Sequence, residues 1–242
     1  KRYPLNKIKP VLEKEGDRDD IPRAALPDRP HQRELSMAKR KEIIQAYYAS
    51  TTLMDACLGR VLDALEKLKL DDNTIVVFLS DHGYHLGHHG LWQKSDLFEG
   101  SARVPLIIRV PGMTTAGRDT SAMTELVDLY PTLSELCNLP KPAHLKGQSL
   151  VKVLEEPKVT VREAAFTVTR IRKRMPGQKG RNRLLGHTIR TKRYRYTQWA
   201  ERKYGTELYN LKDDLSEKNN LADEMPGKVK NLQTRMYRIL NN

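Results

Sequence analysis

The stretch Ser80 to Lys94, SDHGYHLGHHGLWQK, gathers one aspartate, four histidines and one lysine directly behind the apolar run Thr74 to Leu79. Asp81 and His82 come first after that run, and Gly83 follows to release the backbone. A carboxylate and an imidazole so placed can turn toward one cation, and an oxygen-rich site with a single nitrogen donor suits calcium or magnesium better than zinc. The same three residues could instead close the loop through hydrogen bonds to backbone amides. His85, His88 and His89, each taken alone, read as solvated loop residues more readily than as ligands, and their H-x-x-H-H spacing fits no zinc signature. Lys94 offers a point charge to a sulfate or phosphate oxygen if it returns to the pocket, and is a surface lysine otherwise.

These side chains need a scaffold, and the flanking pattern describes one. TIVVFLS is short, β-branched and almost wholly apolar, which suits a central parallel strand covered on both faces, and VPLIIRV (Val104 to Val110) is a second such run. Polar clusters beyond the carboxyl ends of such strands are where α/β sheets place their chemistry. Upstream, Ile43, Tyr47, Met54, Leu58, Val61, Leu65 and Leu68 recur at helical steps, so Ser36 to Leu70 is predicted as one long amphipathic helix ended by the turn Asp71 to Asn73. Downstream come a helix at Glu125 to Leu139 and a short helix near Leu150 to Glu155, completing an α/β layer pattern.

Beyond Val159 the grammar changes to short strand-like pieces, REAAFTVTR, HTIRT, RYRYTQW and TELYNL, which predict a small antiparallel sheet. Met225 to Leu240 closes the chain as an amphipathic helix with Val229, Leu232, Met236 and Leu240 on one side. Residues 1–35, rich in Pro and in charges of both signs, read as an irregular segment draped over a surface. The expected organisation is 1–35 connecting segment, 36–158 α/β core and 159–242 C-terminal α+β subdomain.

The 242 residues are enough for one large domain or a domain with an appendage, and their formal net charge of +13 points to a polyanionic partner. The two cysteines, Cys57 and Cys137, are too few for a disulfide framework and lack zinc-site spacing. No apolar run is long enough for a transmembrane helix, and KRYPLNK has neither an initiator Met nor a signal-peptide core, so the chain reads as a mature product or a piece of something longer.

SDHG, then LGHHGLWQK and RVPLIIRVPG, together resemble the C-terminal half of the sulfatase family in the alkaline-phosphatase-like superfamily. ELVDLYPTLSELCNL, LGHTIRTKRYRYTQW and ELYNLKDDLSEKNNLAD continue the likeness, which within the family is strongest to the iduronate-2-sulfatase branch and its bacterial relatives. The resemblance implies part of an alkaline-phosphatase-like sandwich, a mostly parallel sheet flanked by helices, followed by the small antiparallel sheet and terminal helix. It further implies that Asp81 and His82 ligate calcium, with magnesium second, that Lys94 contacts the sulfate, and that Tyr84, His85 and Trp92 face the substrate, a sulfated carbohydrate. His85 is the local candidate for the acid that protonates the leaving alcohol. His88 and His89 receive no role. A periplasmic, secreted or lysosomal location goes with the family.

The family's nucleophile is a formylglycine made from the Cys of C-x-P-S-R or C-x-A-x-R. Cys57 begins CLGRV and Cys137 begins CNLPK, so neither fits, and Cys57 reads as a small buried thiol on the helix. The acidic pairs at Asp19, Asp71 and Asp213 follow no apolar strand and read as surface turns. The nucleophile and two further metal ligands are therefore expected from an N-terminal half of the same enzyme, and this chain alone is expected to be inactive. Two other readings compete: a phosphonate or phosphate ester hydrolase of the same superfamily, and a non-catalytic polyanion-binding remnant. The basic stretch Thr169 to Arg183, with seven Lys or Arg, is either a solvated loop or an electropositive rim for a sulfated polysaccharide. It has too few interleaved aromatics for a nucleic-acid platform.

Overall fold

The computed structural model describes residues 2–26, 29–175, 177, 179–180 and 182–241. In chain order the regular elements are α1 (Pro30–Arg33), α2 (Met37–Lys67), β1 (Val76–Leu79), β2 (His85–Leu86), β3 (Trp92–Gln93), α3 (Glu99–Ala102), β4 (Leu106–Arg109), α4 (Leu129–Leu136) and α5 (Val151–Glu155). They are followed by β5 (Ala164–Lys173), β6 (Asn182–Thr191), β7 (Tyr194–Trp199), β8 (Thr206–Asn210) and α6 (Pro226–Leu240).

α2 starts where the hydroxyl of Ser36 accepts from the Lys39 amide at 3.2 Å, the usual N-cap arrangement. The predicted apolar stripe is present but mostly unpartnered: of the helix only Ile44 is buried, whereas Tyr47, Met54, Val61 and the capping Leu68 are exposed. Cys57, expected inside, is exposed as well.

The two apolar runs after α2 do form strands, but not parallel inner ones. β1 pairs antiparallel with β4, Val76 opposite Arg109 and Leu79 opposite Leu106, as a separate two-stranded ribbon. The histidine loop, the β2–β3 pair and α3 lie between these two strands in the chain. Both strands are at most half-buried, and Ile107 is exposed.

The C-terminal part matches its prediction closely. β5 to β8 form one antiparallel meander in sequence order, with β6 running Ala164↔Thr191 to Lys173↔Asn182 against β5. Alternation across the pleat sends Ile189, Tyr196 and Leu208 to one face, where Val229, Leu232 and Met236 of α6 cover them. Leu240, expected on that stripe, is exposed at the helix end. The opposite face presents Leu184, Trp199 and Tyr209, which pack against Ile21, Ala24, Ala25 and Leu26 from the N-terminal segment and Leu91, Leu97 and Phe98 from the loop region. Part of the N-terminal segment is thus core rather than surface drape, and it holds a 3-10 turn at Leu5–Lys7 and the short α1. The expected helix at Glu125 to Leu139 is a 3-10 turn (Leu126–Asp128) running into the shorter α4.

Part of the basic stretch is strand instead of loop: Thr169–Lys173 lies in β5 and Asn182–Arg183 in β6. Residues 176, 178 and 181 at its tip lie outside the described residues. Lys173 is buried and donates to the carbonyls of Arg23 and Leu26, so one of its charges belongs to the core.

Candidate functional site

The loop between β1 and β4 is built around two close backbone approaches. A Cβ at Gly83 would fall 2.1 Å from the Gly100 carbonyl oxygen, and one at Gly100 would fall 2.5 Å from the His85 ring. Gly83 also donates its amide to the Ser101 carbonyl at 2.8 Å, which fastens the turn after His82 to α3. The glycine of SDHG therefore serves contact between backbones, which no larger residue would permit.

Asp81, His82 and Lys94 meet at the solvent-facing side of this loop. The His82 Nδ1–H donates to the Gly83 carbonyl at 2.9 Å, which directs the Nε2 lone pair outward. Lys94 Nζ lies 2.7 Å from that Nε2, and Asp81 Oδ2 lies 3.5 Å from it. Asp81 Oδ1 also accepts from the His82 amide at 3.0 Å, so the loop-closing role and an open second oxygen coexist in one carboxylate. The Asp81 side chain is 83% exposed and thus available to a ligand. An imidazole whose far nitrogen is tied to a backbone carbonyl is oriented as metal-binding histidines are, and one carboxylate beside it is a fitting second donor. Among the described residues no group of three or more His, Cys, Asp or Glu is assembled for a metal, so these two would form part of a coordination sphere.

Tyr84 stands at the rim, partly exposed, with its ring 5.2 Å from that of Tyr47 of α2. Trp92 does not join it. It is 4% exposed and packs with Ile8 and Ile44, so its expected substrate contact gives way to a core role. His85 is likewise 1% exposed; its Nε2 lies 3.0 Å from Asp96 Oδ1, and its buried Nδ1 has no partner among the described residues. With its Nε2 engaged by Asp96 and its ring 1% exposed, the acid role expected for His85 is not supported by its surroundings.

His89, read from the sequence as a solvated residue, is also inside. Its Nδ1 lies 3.0 Å from Asp17 and its ring stacks on Phe98 at 4.5 Å. Burial depresses the pKa of His89 against the pull of Asp17, and depresses that of His88 with help from the neighbouring His85. Both imidazoles are consequently held toward the neutral form. His85, His88 and His89 line a cavity of about 480 Å³ whose far wall includes Glu99, Arg103 and Glu217.

Several residues that hold this loop escaped the reading of the sequence. Asp96 accepts from His85, from the Phe98 amide and from the Ser101 hydroxyl, each at 3.0 Å. Arg195 of β7 and Glu217 are both buried, and form an ion pair beneath Leu97–Glu99. Burial lifts the Glu217 carboxyl to about 7 although the guanidinium pulls it down. A charged residue amid the aromatics of YRYTQW was the available signal, since an inner strand tolerates one only with a buried partner.

Two family profiles match: Sulfatase over residues 6–139, and N-sulphoglucosamine sulphohydrolase, C-terminal, over residues 87–242. A sulfatase from Formosa agariphila is 33% identical over 235 residues, covering 94% of this chain and 43% of that protein. Iduronate 2-sulfatase from Mus musculus is 34% identical over 211 residues, covering 66% of this chain and 38% of its own length. Among solved structures, BT4656 in complex with its substrate D-glucosamine-2-N,6-O-disulfate has a TM-score of 0.73 at 31% identity, over 84% of this chain and 42% of that one. The phosphonate monoester hydrolase of Agrobacterium radiobacter has a TM-score of 0.75 at 29% identity, over 86% and 43%.

The chain belongs to the sulfatase family, with an α/β part of alkaline-phosphatase-like architecture and a C-terminal four-stranded antiparallel sheet. The likeness to iduronate 2-sulfatase indicated by the motifs is found, beside a similar one to arylsulfatase K of Mus musculus, 32% identical over 83% of this chain and 36% of that protein. It spans less than half the length of these relatives. Among the described residues no helix is long and apolar enough to cross a membrane.

Proposed function

We propose that this chain is the C-terminal portion of a sulfatase acting on sulfate esters of a glycan, and that Asp81, His82 and Lys94 form its share of the active site. The convergence of Asp81 and Lys94 on His82 Nε2 carries the reading. The sulfated-sugar names of the relatives supply the substrate class.

Asp81 and His82 would hold calcium, with remaining oxygen ligands from an N-terminal half, since calcium takes six to eight. The bound ion would supply positive charge opposite the sulfuryl oxygens. Lys94 offers its ammonium to one sulfate oxygen, and its contact with His82 places that charge at the metal donor's edge. Because sulfuryl transfer, like phosphoryl transfer, rewards positioning and charge placement, an ammonium this close lowers the barrier once it passes from the His82 Nε2 lone pair, which the ion would take, to the sulfate oxygen. Tyr84, partly exposed beside this group, presents a ring for the sugar. The net charge of +13 draws a polyanionic substrate toward the site, in a manner that salt weakens. The formylglycine nucleophile and the leaving-group acid come from the N-terminal half in this reading.

The test is turnover by the full-length protein on matched aryl sulfate and aryl phosphonate esters, with and without calcium. Sulfate hydrolysis that calcium restores after chelation is the expected result. Preferential phosphonate hydrolysis would favour the second reading, which the likeness to the Agrobacterium radiobacter enzyme supports. Absence of both activities, with glycan binding retained, would leave a polyanion-binding remnant.

A further inference from the structure

Arg195 sits in the middle of β7, far in sequence from the histidine loop, and is 1% exposed. Its Nε donates to Glu217, and its Nη1 donates to the Leu97 carbonyl at 2.5 Å and to the Thr197 hydroxyl at 2.9 Å. The guanidinium lies 5.1 Å from the Phe98 ring centroid and the same distance from that of Tyr209. Glu217 in turn accepts the Glu99 amide at 2.7 Å. The pair therefore grips one short segment, Leu97–Glu99, at a carbonyl and at an amide.

That segment is joined to the loop by two further links. Asp96, next to it, holds His85, and Ser101, just beyond it, holds the Gly83 amide and bonds Asp96 through its hydroxyl. Gly83 directly follows Asp81 and His82, His85 comes two residues later, and Lys94 lies two residues before Asp96. Both ends of the catalytic stretch are thus referred to one platform, and the platform is referred to Arg195.

Burying two charges is a poor way to gain stability alone, since well-packed apolar residues of similar volume often do as well or better. What a guanidinium adds is a planar fork with fixed directions, which an ammonium lacks. We propose that Arg195, seated by Glu217, is a positioning residue of the C-terminal sheet that sets the geometry of Asp81, His82 and Lys94 through the Leu97–Ser101 platform. This rests on the sulfatase reading for its effect on turnover, though not for its effect on the loop.

The experiment uses the full-length protein with Arg195→Lys, Glu217→Gln and a comparator, Met236→Ala, which lies on the other face of the sheet. Amide exchange by mass spectrometry and sulfate-ester kinetics are read below the melting temperature of each variant. Arg195→Lys is expected to speed exchange at Gly83 and Phe98–Ser101 but not at Leu208, and to lower kcat about 10- to 100-fold with KM within about twofold, the scale of a small misplacement of reacting groups. Glu217→Gln keeps an acceptor oxygen for the Glu99 amide, so a severalfold loss in the same direction is expected, and it serves if Arg195→Lys does not fold. Met236→Ala is expected to lower the melting temperature with little change in loop exchange or kcat. Unchanged platform exchange in both polar variants overturns the proposal, as does a kcat loss in Met236→Ala that equals theirs. If the unaltered protein hydrolyses no sulfate ester, the functional reading falls, and the exchange measurements alone decide on the positioning role.

Discussion

Two helices of this chain carry apolar residues at helical spacing, and only one of them buries the stripe. α6 seats Val229, Leu232 and Met236 on β5–β8, and the other face of that sheet, with Trp199 and Tyr209, is covered by Ile21, Ala24, Ala25 and Leu26 of the N-terminal segment and by Leu91, Leu97 and Phe98. α2, twice as long, buries Ile44 alone, and the β1–β4 ribbon next to it in sequence remains half-exposed. A sheet covered on both faces has its partners in the chain, whereas a long exposed stripe and a two-stranded ribbon are marginal in water without further surface. The difference teaches that periodicity reports what a face is suited to contact, not whether that contact is present. In the proposed reading the N-terminal half covers α2 and the ribbon, and the exposed metal and sulfate residues sit at the same boundary.

The comparison can be broken or sharpened by mutation, beginning with the closed region. Leu232→Ala should cost about 2–5 kcal/mol, measured by denaturant unfolding, because it opens a cavity under the sheet. A loss below about 1 kcal/mol would mean that the C-terminal core is looser than its burial indicates.

In the open region the large effect should be kinetic. Lys94→Ala in the full-length protein should reduce kcat/KM by about 100- to 1,000-fold, the usual loss for one preorganised charge contact, with little effect on melting temperature. Lys94→Arg should recover only part of it. Activity within about threefold of the unaltered enzyme, below roughly 0.7 kcal/mol, would make Lys94 a surface lysine. Asp81→Asn should weaken calcium binding by at least about tenfold in calorimetry and lower turnover with it, since a charged donor is lost. Calcium dependence that stays the same would remove Asp81 from the site.

A smaller effect separates the buried network from the loop by pH. The folded-state pKa of Glu217 is about 7, above its ordinary 4.5. The folded protein therefore holds this proton more tightly than the unfolded chain, so the stabilisation from the group is full below about pH 4.5 and is lost as pH rises through about 7. His88 and His89 act with the opposite sign: their pKa values are depressed below 6.5, so their stabilisation is present above that value and lost as pH falls. Glu217→Gln should accordingly remove a decline in melting temperature between about pH 4.5 and 7 and leave the histidine contribution in place. Identical pH profiles for the two proteins would sink this assignment.

The smallest change is expected on the exposed stripe. Val61, 58% exposed on α2, should tolerate Val61→Ser in the isolated chain with a loss under about 0.5 kcal/mol and less aggregation in light scattering. Greater aggregation would show that the stripe already has an intramolecular partner.

Local patterns were enough to show α2, the meander β5–β8 and α6, because each rests on spacing within one element or between adjacent ones. The alliance of Asp81, His82 and Lys94 was also legible, through the position of the cluster behind an apolar run and through the family motifs. Tertiary structure alone decided the rest. It turned β1 antiparallel by bringing β4 back beside it, placed Trp92, His85 and His89 inside a loop whose polar composition suggested solvent, and left Cys57 outside. It also joined Arg195, Glu217 and Asp96, which are scattered along the chain, into one support under the loop. Burial and long-range pairing depend on which surfaces the fold brings together, and that information is spread over residues too far apart for any local period to carry.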